Sequence, residues 1–242
     1  MTPQEIQARL LYRDGLMLVI DKPAGLPVHA GPGGGDNLER SFEHLRFGLP
    51  KAPALAHRLD RDTSGCLVLG RQHKGLSRLG KLFQDGKVEK TYWAITTKAP
   101  PEKSGTISAC LKKLTTRAGG WRMVVVDDGD KDGQKSVTDY RWLGSGDHVH
   151  WLELHPRTGR THQIRVHLAH LGCPILGEPI YLPEGSPNPS QKLHLHSRAI
   201  VVPLYPKKDP VRIEAPPPPH MLQALKACGY HPTATKSQPD HE

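Results

Sequence analysis

The sequence contains few cysteines and few aromatic residues. Four cysteines occur among 242 residues, and Phe, Trp and Tyr together make up 5% of the chain. Cys66, Cys110, Cys173 and Cys228 form no C-x-x-C pair, so the spacing suggests neither a zinc ribbon nor a disulfide scaffold and predicts reduced thiols. No apolar run reaches about 18 residues, and no signal-peptide pattern opens the chain. These absences predict a cytoplasmic protein that does not bind membranes.

Acidic residues are scarce relative to basic ones. The chain has 33 Lys and Arg against 24 Asp and Glu, a net charge of +9. Such an excess favours a polyanionic partner, with nucleic acid as the first choice, although solubility alone can also explain it. The hydrophobic fraction of 36% is typical of a globular protein, and the length allows a single core.

Several motifs of catalysis and cofactor binding are also missing. The glycine-rich segment 31–35 is not followed by the Lys-Ser or Lys-Thr of a phosphate-binding loop, so we interpret it as a connector. The 15 histidines include His167-x-x-His170, but H-E-x-x-H does not occur. Ser64 lacks the G-x-S-x-G environment of a hydrolase. We therefore expect no metal and no organic cofactor.

The segment 57–65, His-Arg-Leu-Asp-Arg-Asp-Thr-Ser-Gly, places an acid among cations between two apolar runs. Thr63, Ser64 and Gly65 supply turn chemistry, with a glycine that tolerates positive φ. A neighbouring arginine typically lowers an Asp pKa by about 1 to 3 units, so Asp60 should be ionised and able to act as a nucleophile or base. The alternative is an Asp that caps a turn and pairs with Arg58 at the surface.

Hydrophobic periodicity divides the rest of the chain into helices and strands. The helices are predicted at residues 1–11 around Ile6, Leu10 and Leu11, after Asp36 or Asn37, around Leu76–Phe83 with Gly86 as C-cap, from Thr161 to near Gly172, and at 220–227. The strands are predicted at 16–21, 66–70, 88–95, 148–155 and 195–202, with hairpins within 98–147. From about residue 231 the composition predicts a disordered tail.

Two patterns orient side chains. In the strand from Val88, alternation places Lys90, Tyr92 and Ala94 on one face and Trp93 on the other. In the helix after Thr161, the apolar residues face the core, whereas His162 and Arg165 share a different face. Arg165 could therefore leave the core side and reach a cleft.

Three segments, in this order, resemble the motifs of the RluA family of pseudouridine synthases. The first is His57-Arg58-Leu59-Asp60 with Thr63-Ser64-Gly65, and the second is Lys90-Thr91-Tyr92-Trp93-Ala94. The third runs from Gly159 to Leu168 and continues through Leu171-Gly172 and Pro174-Ile175-Leu176-Gly177. The resemblance covers roughly residues 14–226.

The resemblance implies an α+β fold, with a mixed, mostly antiparallel sheet flanked by helices and a central active-site cleft. Residues 1–230 would form this catalytic domain and 231–242 the tail, without the extra N-terminal RNA-binding domain of larger members. The implied activity is isomerisation of uridine to pseudouridine in tRNA or large-subunit rRNA, by a monomer that needs no metal or cofactor.

The resemblance also assigns roles to residues. Asp60 would act at the ribose of a flipped-out uridine, by attack at C1′ or by removing a proton from C2′; attack on the uracil ring is a third possibility. Tyr92 would stack on the base and could remove the C5 proton, and Arg165 would pair with Asp60. Arg58 would lie near the flipped base. The remaining residues, predicted to line the RNA path, are His57, Lys90, Arg160 and His162.

Other interpretations stay open from the residues alone. Tyr92 could be an ordinary core tyrosine, and Arg165 a phosphate contact or a helix salt bridge. Glu178 departs from the Asp that family members often carry after Gly177, a change expected to affect only local pairing. An RNA-binding or ribosome-assembly factor without catalysis is the second hypothesis for function, and a metal-dependent hydrolase the third.

Overall fold

An eleven-stranded sheet runs through the computed structural model, which describes residues 1–31, 34–115, 120–183, 185–187 and 189–232. The helices are α1 (Pro3–Gln7), α2 (Gln72–Gln84), α3 (Gln163–His170) and α4 (Pro219–Ala227), with a 3₁₀ helix at Leu38–Leu45. The strands are β1 (Leu10–Arg13), β2 (Met17–Lys22), β3 (Ala54–Leu55), β4 (Ser64–Gly70), β5 (Glu89–Thr96), β6 (Ser104–Thr115), β7 (Trp121–Val126), β8 (Gln134–Gly146), β9 (Val149–Pro156), β10 (Leu195–Val202) and β11 (Val211–Glu214).

The strand order is β1-β2-β4-β10-β5-β9-β8-β6-β7, with β3 also on β4 and β11 also on β10. Among the described pairs only β4 and β10 run parallel, so the sheet is mixed and mostly antiparallel. The predicted α+β class is confirmed. Within the described part of the chain, no helix is both long and apolar enough to cross a membrane.

Strand β5 lies near the middle of this order, and its two faces serve different cores. Tyr92 and Ala94 belong to the largest apolar cluster, whereas Trp93 and Ile95 pack under α4 against Met221 and Leu225. The alternation predicted from the sequence is therefore confirmed. It turns Tyr92 toward the same face as Lys90, which is the face that bears the cleft described below.

The start of β4 is fixed by a close approach of two backbones. Gly65 has φ +103°, and a Cβ at this position would lie 2.2 Å from the carbonyl oxygen of Ser197 on β10. Next to it, Ser64 Oγ donates a hydrogen bond to His196 Nδ1 over 2.8 Å, while His196 Nε2 donates to the Ala215 carbonyl. The positive φ predicted for this glycine is confirmed, and it allows the 57–65 segment to sit directly against β10.

Two predicted helix boundaries were wrong. The first helix ends at Gln7, because Leu10 and the following residues pair with β2 and complete backbone hydrogen bonds there. Thr161 does not cap α3: the cap is His162, which adopts a left-handed conformation and makes no side-chain cap bond.

The hairpins of 98–147 and the strand at 195–202 are confirmed. The tail from residue 233 onward, and residues 32 and 33 of the glycine-rich connector, lie outside the described residues.

Lowering the pH from about 6.5 to about 4 should reduce the free energy of unfolding. Burial lowers the pKa of His57 to about 3 and the pKa values of His167 and His196 to about 4, so only the unfolded chain takes up these three protons in this window. Burial raises the pKa of Asp21 to about 6, and this group binds one proton in the folded state instead. Two excess protons on the unfolded chain correspond to a slope of about 3 kcal/mol per pH unit.

Urea unfolding followed by tryptophan fluorescence at pH 7, 6 and 5 measures this slope. The variant His73→Gln, at an exposed histidine, serves as the control. A free energy of unfolding that stays constant or rises toward pH 5 would contradict the assignment of His57, His167 and His196 as neutral, buried side chains.

Candidate active site

A cleft of about 500 Å³ opens at the face of the sheet that bears Tyr92. Three parts of the chain form most of its walls: the 57–65 segment, the end of α2 with the start of β5, and the 156–165 segment that leads into α3. Leu195 of β10 completes the lining. All eight residues singled out in the sequence line this one cleft: His57, Arg58, Asp60, Lys90, Tyr92, Arg160, His162 and Arg165. The three motifs therefore converge, although Asp60 and Arg165 are 105 positions apart in the chain.

Asp60 holds the only carboxylate among the described residues that line the cleft. Its side chain is 19% exposed, and Leu59 beside it is buried in the core. The Asp60 carbonyl accepts a hydrogen bond from the Thr63 amide, which closes the predicted turn. The carboxylate is thus reachable from solvent on a loop anchored at both sides.

Lys22 anchors this loop through hydrogen bonds from its buried ammonium group. This role was not predicted from the sequence. The side chain is fully buried, and Nζ donates to the carbonyls of Pro23, Leu26 and Arg61 at 2.7 to 2.8 Å. Burial lowers the pKa of Lys22 to about 8, although the charges of Asp62 and Asp60 oppose the shift. The only available signal was a lysine that ends an apolar strand immediately before a proline.

His57 contributes to the wall as a neutral ring. Its Nε2 accepts a hydrogen bond from the Val68 amide at 3.0 Å, and the ring stacks on Phe83 with centroids 4.4 Å apart. Burial and the nearby charge of Lys90 lower the pKa of His57 to about 3. This ring therefore brings no positive charge to the predicted RNA path; it ties the segment to β4.

Lys90 and Tyr92 line the cleft from β5. Lys90 Nζ donates to the Thr158 carbonyl at 3.2 Å, and burial lowers the pKa of Lys90. Burial raises the pKa of Tyr92, and the charge of Asp60 adds to the effect. The phenol is therefore protonated at neutral pH. In the free protein Tyr92 offers a ring face and a hydrogen-bond donor rather than a base.

Arg165 does not pair with Asp60, contrary to the prediction. Its Nε and Nη2 donate to Glu178 Oε2 and Oε1 at 2.8 and 2.7 Å, and the two side chains are 2% and 0% exposed. Glu178 Oε1 also accepts from the amides of Ile180 and Tyr181. Burial opposes the charge on Arg165, but the hydrogen bonds and charge of Glu178 outweigh it and raise the pKa.

The Glu178 departure is therefore more consequential than expected. The residue that differs from the common family Asp is the buried partner of the cleft arginine. A longer carboxylate reaches Arg165 from a turn 13 residues further along the chain. Arg165 still lines the cleft, and the charge of Asp60 raises its pKa further, so Asp60 acts on it across space without an ion pair.

His162 is the residue whose side chain comes nearest to forming an ion pair with Asp60 among the described residues, with Nε2 at 4.0 Å from Oδ1. Its backbone has φ +53°, a conformation that costs a non-glycine residue about 1 to 2 kcal/mol. Nδ1 lies 2.7 Å from the Tyr181 hydroxyl, which also accepts from the Met123 amide. When Tyr181 donates to Nδ1, the hydrogen of His162 lies on Nε2, facing Asp60. Burial lowers the pKa of His162, although Asp60 opposes the shift.

The turn before α3 is held by Gln163, which the sequence reading did not single out. Its amide nitrogen donates to the Val137 carbonyl and to Thr138 Oγ1, and its amide oxygen accepts from Thr158 Oγ1 and the Arg160 amide. Gln163 thus binds the turn to β8. This fixes Arg160 at the rim and Thr158 beneath Lys90.

Exposed guanidinium groups mark the rim of the cleft. Arg58 and Arg160 are both exposed, and neither forms an ion pair with any residue in the described ranges. Arg160 Nε donates to the Lys135 carbonyl, which orients the side chain without neutralising it. No group of three or more possible metal ligands occurs within the part of the chain that is described. The cleft thus combines a carboxylate, a neutral aromatic wall and a cationic rim.

The chain is similar to known proteins over most of its length. A family model for RNA pseudouridylate synthase matches residues 16–170. An uncharacterized RNA pseudouridine synthase of Zymomonas mobilis is 41% identical over 211 residues, which are 87% of this chain and 94% of that protein. The mitochondrial pseudouridylate synthase RPUSD4 of Xenopus tropicalis is 29% identical over 277 residues, covering 97% of this chain and 84% of the relative.

Solved structures resemble the fold as well. The human RNA pseudouridylate synthase domain containing 4 has a TM-score of 0.78 at 27% identity, covering 93% of this chain and 94% of that one. The human domain containing 1 protein has a TM-score of 0.71 at 25% identity, with coverage of 89% and 85%. The chain therefore belongs to the RluA family of RNA pseudouridylate synthases. It is an isomerase that modifies RNA, and the resemblance seen in its three motifs is confirmed.

Removing the charge of Glu178 should destabilise the protein strongly. Glu178→Gln leaves the buried Arg165 without its counter-charge, and such a loss typically costs about 3 to 5 kcal/mol. Glu178→Asp keeps the charge and should cost clearly less. Urea unfolding of both variants beside the wild type measures the difference. Equal losses for the two variants would mean that side-chain length, and not charge, controls this site.

Proposed function

We propose that the enzyme converts specific uridines in tRNA or large-subunit rRNA to pseudouridine, with Asp60 as the catalytic residue. The observation that carries this proposal is the Asp60 carboxylate, 19% exposed and the only one among the described residues that line the cleft, below a rim whose guanidinium groups form no ion pair with any of those residues. A cationic rim attracts the phosphates of RNA, and the carboxylate lies below it where an extruded nucleotide would enter. Action in the cytoplasm and as a monomer remain predictions.

The reaction requires one bond to break and another to form at the same carbon. The bond between C1′ and N1 breaks with its electron pair left on N1, and the uracil turns. A bond then forms between C1′ and C5, the hydrogen of C5 leaves as a proton, and N1 takes up a proton, so the product is an isomer of the substrate. Asp60 would begin this sequence at the ribose, by attack at C1′ or by removal of a proton from C2′. Attack on the uracil ring is the third possibility.

The surroundings of Asp60 support distinct roles for its neighbours. Tyr92, with a protonated phenol, is suited to stack against the uracil, and a base role at C5 would require substrate binding to lower its raised pKa. His162 can donate from Nε2 and orient the Asp60 carboxylate. Arg165, fixed by Glu178, supplies a permanent positive charge near the reacting atoms. Arg58 at the exposed rim is suited to occupy the space beside the flipped base.

Release of tritium from RNA labelled at uridine C5 tests the catalytic role of Asp60. Asp60→Asn keeps the shape of the side chain but removes its charge, and we expect release to fall by at least 1,000-fold, consistent with loss of the group that starts the reaction. Asp209→Asn is the control, because Asp209 is exposed and does not line the cleft. Substantial release by Asp60→Asn would refute the assignment.

Total tRNA and protein-free large-subunit rRNA serve as separate substrates in this assay. Release from one of them would identify the substrate class. Salt-sensitive binding without release from either would favour a binding factor that has lost catalysis. That result would also mean that the enzyme does not act on tRNA or large-subunit rRNA when these are free of protein.

RNA affinity should depend steeply on salt, and the rim arginines should account for part of this dependence. Each phosphate contact contributes about 0.7 to 0.9 to the slope of log K against log salt, so Arg58→Ala and Arg160→Ala should each lower the slope by about one. Filter binding of total tRNA between 50 and 300 mM KCl measures it. Arg212→Ala is the control, since Arg212 pairs with Glu214 on β11, away from the cleft. An equal change in all three variants would argue against a rim-specific contact.

A further inference from the structure

The hairpin of β6 and β7 carries an exposed tryptophan to the edge of the cleft. Trp121 is 42% exposed and is one of three large hydrophobic side chains exposed among the described residues. The chain has four tryptophans, and the other three are at least partly buried in apolar clusters. Exposing an indole leaves a large apolar surface in water, so this position calls for an explanation beyond core packing.

Two contacts hold the indole beside the site. The Trp121 and His162 rings lie 5.1 Å apart between centroids at an angle of 33°, and Lys113 Nζ lies 4.8 Å from the indole centroid. The same imidazole ring places its Nε2 4.0 Å from Asp60 Oδ1. One imidazole ring therefore separates the indole from the carboxylate.

The hairpin that presents Trp121 is firmly attached to the body of the protein. Leu111 and Met123 pack against Val166 of α3, and the Met123 amide donates to the Tyr181 hydroxyl. Because Met123 and Trp121 are two residues apart on one strand, their side chains point to the same face, toward α3 and the cleft. The indole is thus part of a fixed surface, which lowers the entropy cost of binding to it.

We propose that Trp121 stacks on an unpaired base next to the target uridine, while Lys113 contacts the adjoining phosphate. This inference rests on the proposed function and adds a substrate feature to it, namely that a neighbour of the target uridine must be unstacked from the RNA helix. An aromatic face accepts any base, so the contact selects RNA shape and tolerates sequence. The basic Lys113 beside the ring, exposed and without an ion pair among the described residues, matches the charge of a phosphate.

Three variants separate stacking from charge and from simple packing. Trp121→Ala should weaken binding of total tRNA or large-subunit rRNA roughly tenfold, in line with the loss of one base stack, and leave the salt slope unchanged. Trp121→Phe should restore most of the affinity. Lys113→Ala should lower the salt slope by about one. Leu114→Ala is the control: Leu114 is 45% exposed on the same hairpin but alternates to the other face, and it should bind like the wild type.

Binding is measured in the Asp60→Asn background, so the result does not depend on turnover or on the role of Asp60. Quenching of tryptophan fluorescence by RNA gives a second readout, and it should be largely lost in Trp121→Phe even if Trp121→Ala fails to fold. The inference is overturned if Trp121→Ala binds within twofold of the wild type, if Leu114→Ala loses as much, or if quenching persists in Trp121→Phe. Those results would leave the proposed function intact, because tritium release tests it separately.

Discussion

The buried ammonium of Lys22 holds together the two loops on which the cleft is built. An ammonium group out of water is stable only when its hydrogens are taken up, and here three carbonyls do so, two from residues 23–26 and one from Arg61. Arg61 follows Asp60 directly, so the position of the carboxylate depends on this contact. Lys22 also pairs with Gly65 in the β2–β4 register. One residue therefore supports the segment at its middle and at its end.

Charge in the cleft is arranged by depth. At the floor, the charge of Arg165 is kept and is balanced by the buried Glu178, and His57 and His162 are kept uncharged by burial. At the rim, the guanidinium groups of Arg58 and Arg160 are exposed and form no ion pair with the residues that the structure describes. A polyanion would meet attraction at the rim, whereas the reacting nucleotide would meet a carboxylate surrounded by neutral rings. This division needs no change in protonation at neutral pH.

The sequence predicted which residues line the cleft better than it predicted which of them form ion pairs or hydrogen bonds. Local patterns identified the face of Tyr92, the need for glycine at position 65 and the strand at 195–202, because each depends on neighbouring residues. The predicted ion-pair partner of Arg165 was wrong. Asp60 and Glu178 are both carboxylates, and only the folded structure shows which of them contacts the arginine.

Other contacts could not be predicted from any pattern in the sequence. The bond from Lys22 to Arg61 spans 39 residues, and no periodicity reports a pairing at that distance. The left-handed backbone of His162 was missed for a related reason: the turn is imposed by Gln163, which binds it to β8, and Thr161 had the better intrinsic propensity to cap a helix. Trp121 was not singled out in the sequence, because its position beside His162 follows only from the hairpin register.

The parallel pair of β4 and β10 has a consequence for how the protein is made. Ser64 and His196 form a hydrogen bond although they are 132 positions apart in the chain, and Gly65 pairs with Ser197 at the same place. During synthesis, the segment that carries Asp60 leaves the ribosome long before β10 exists. Contacts of such sequence separation form late and slow folding. The active site is therefore assembled only when most of the chain has been translated, and shorter nascent chains carry its motif without its geometry.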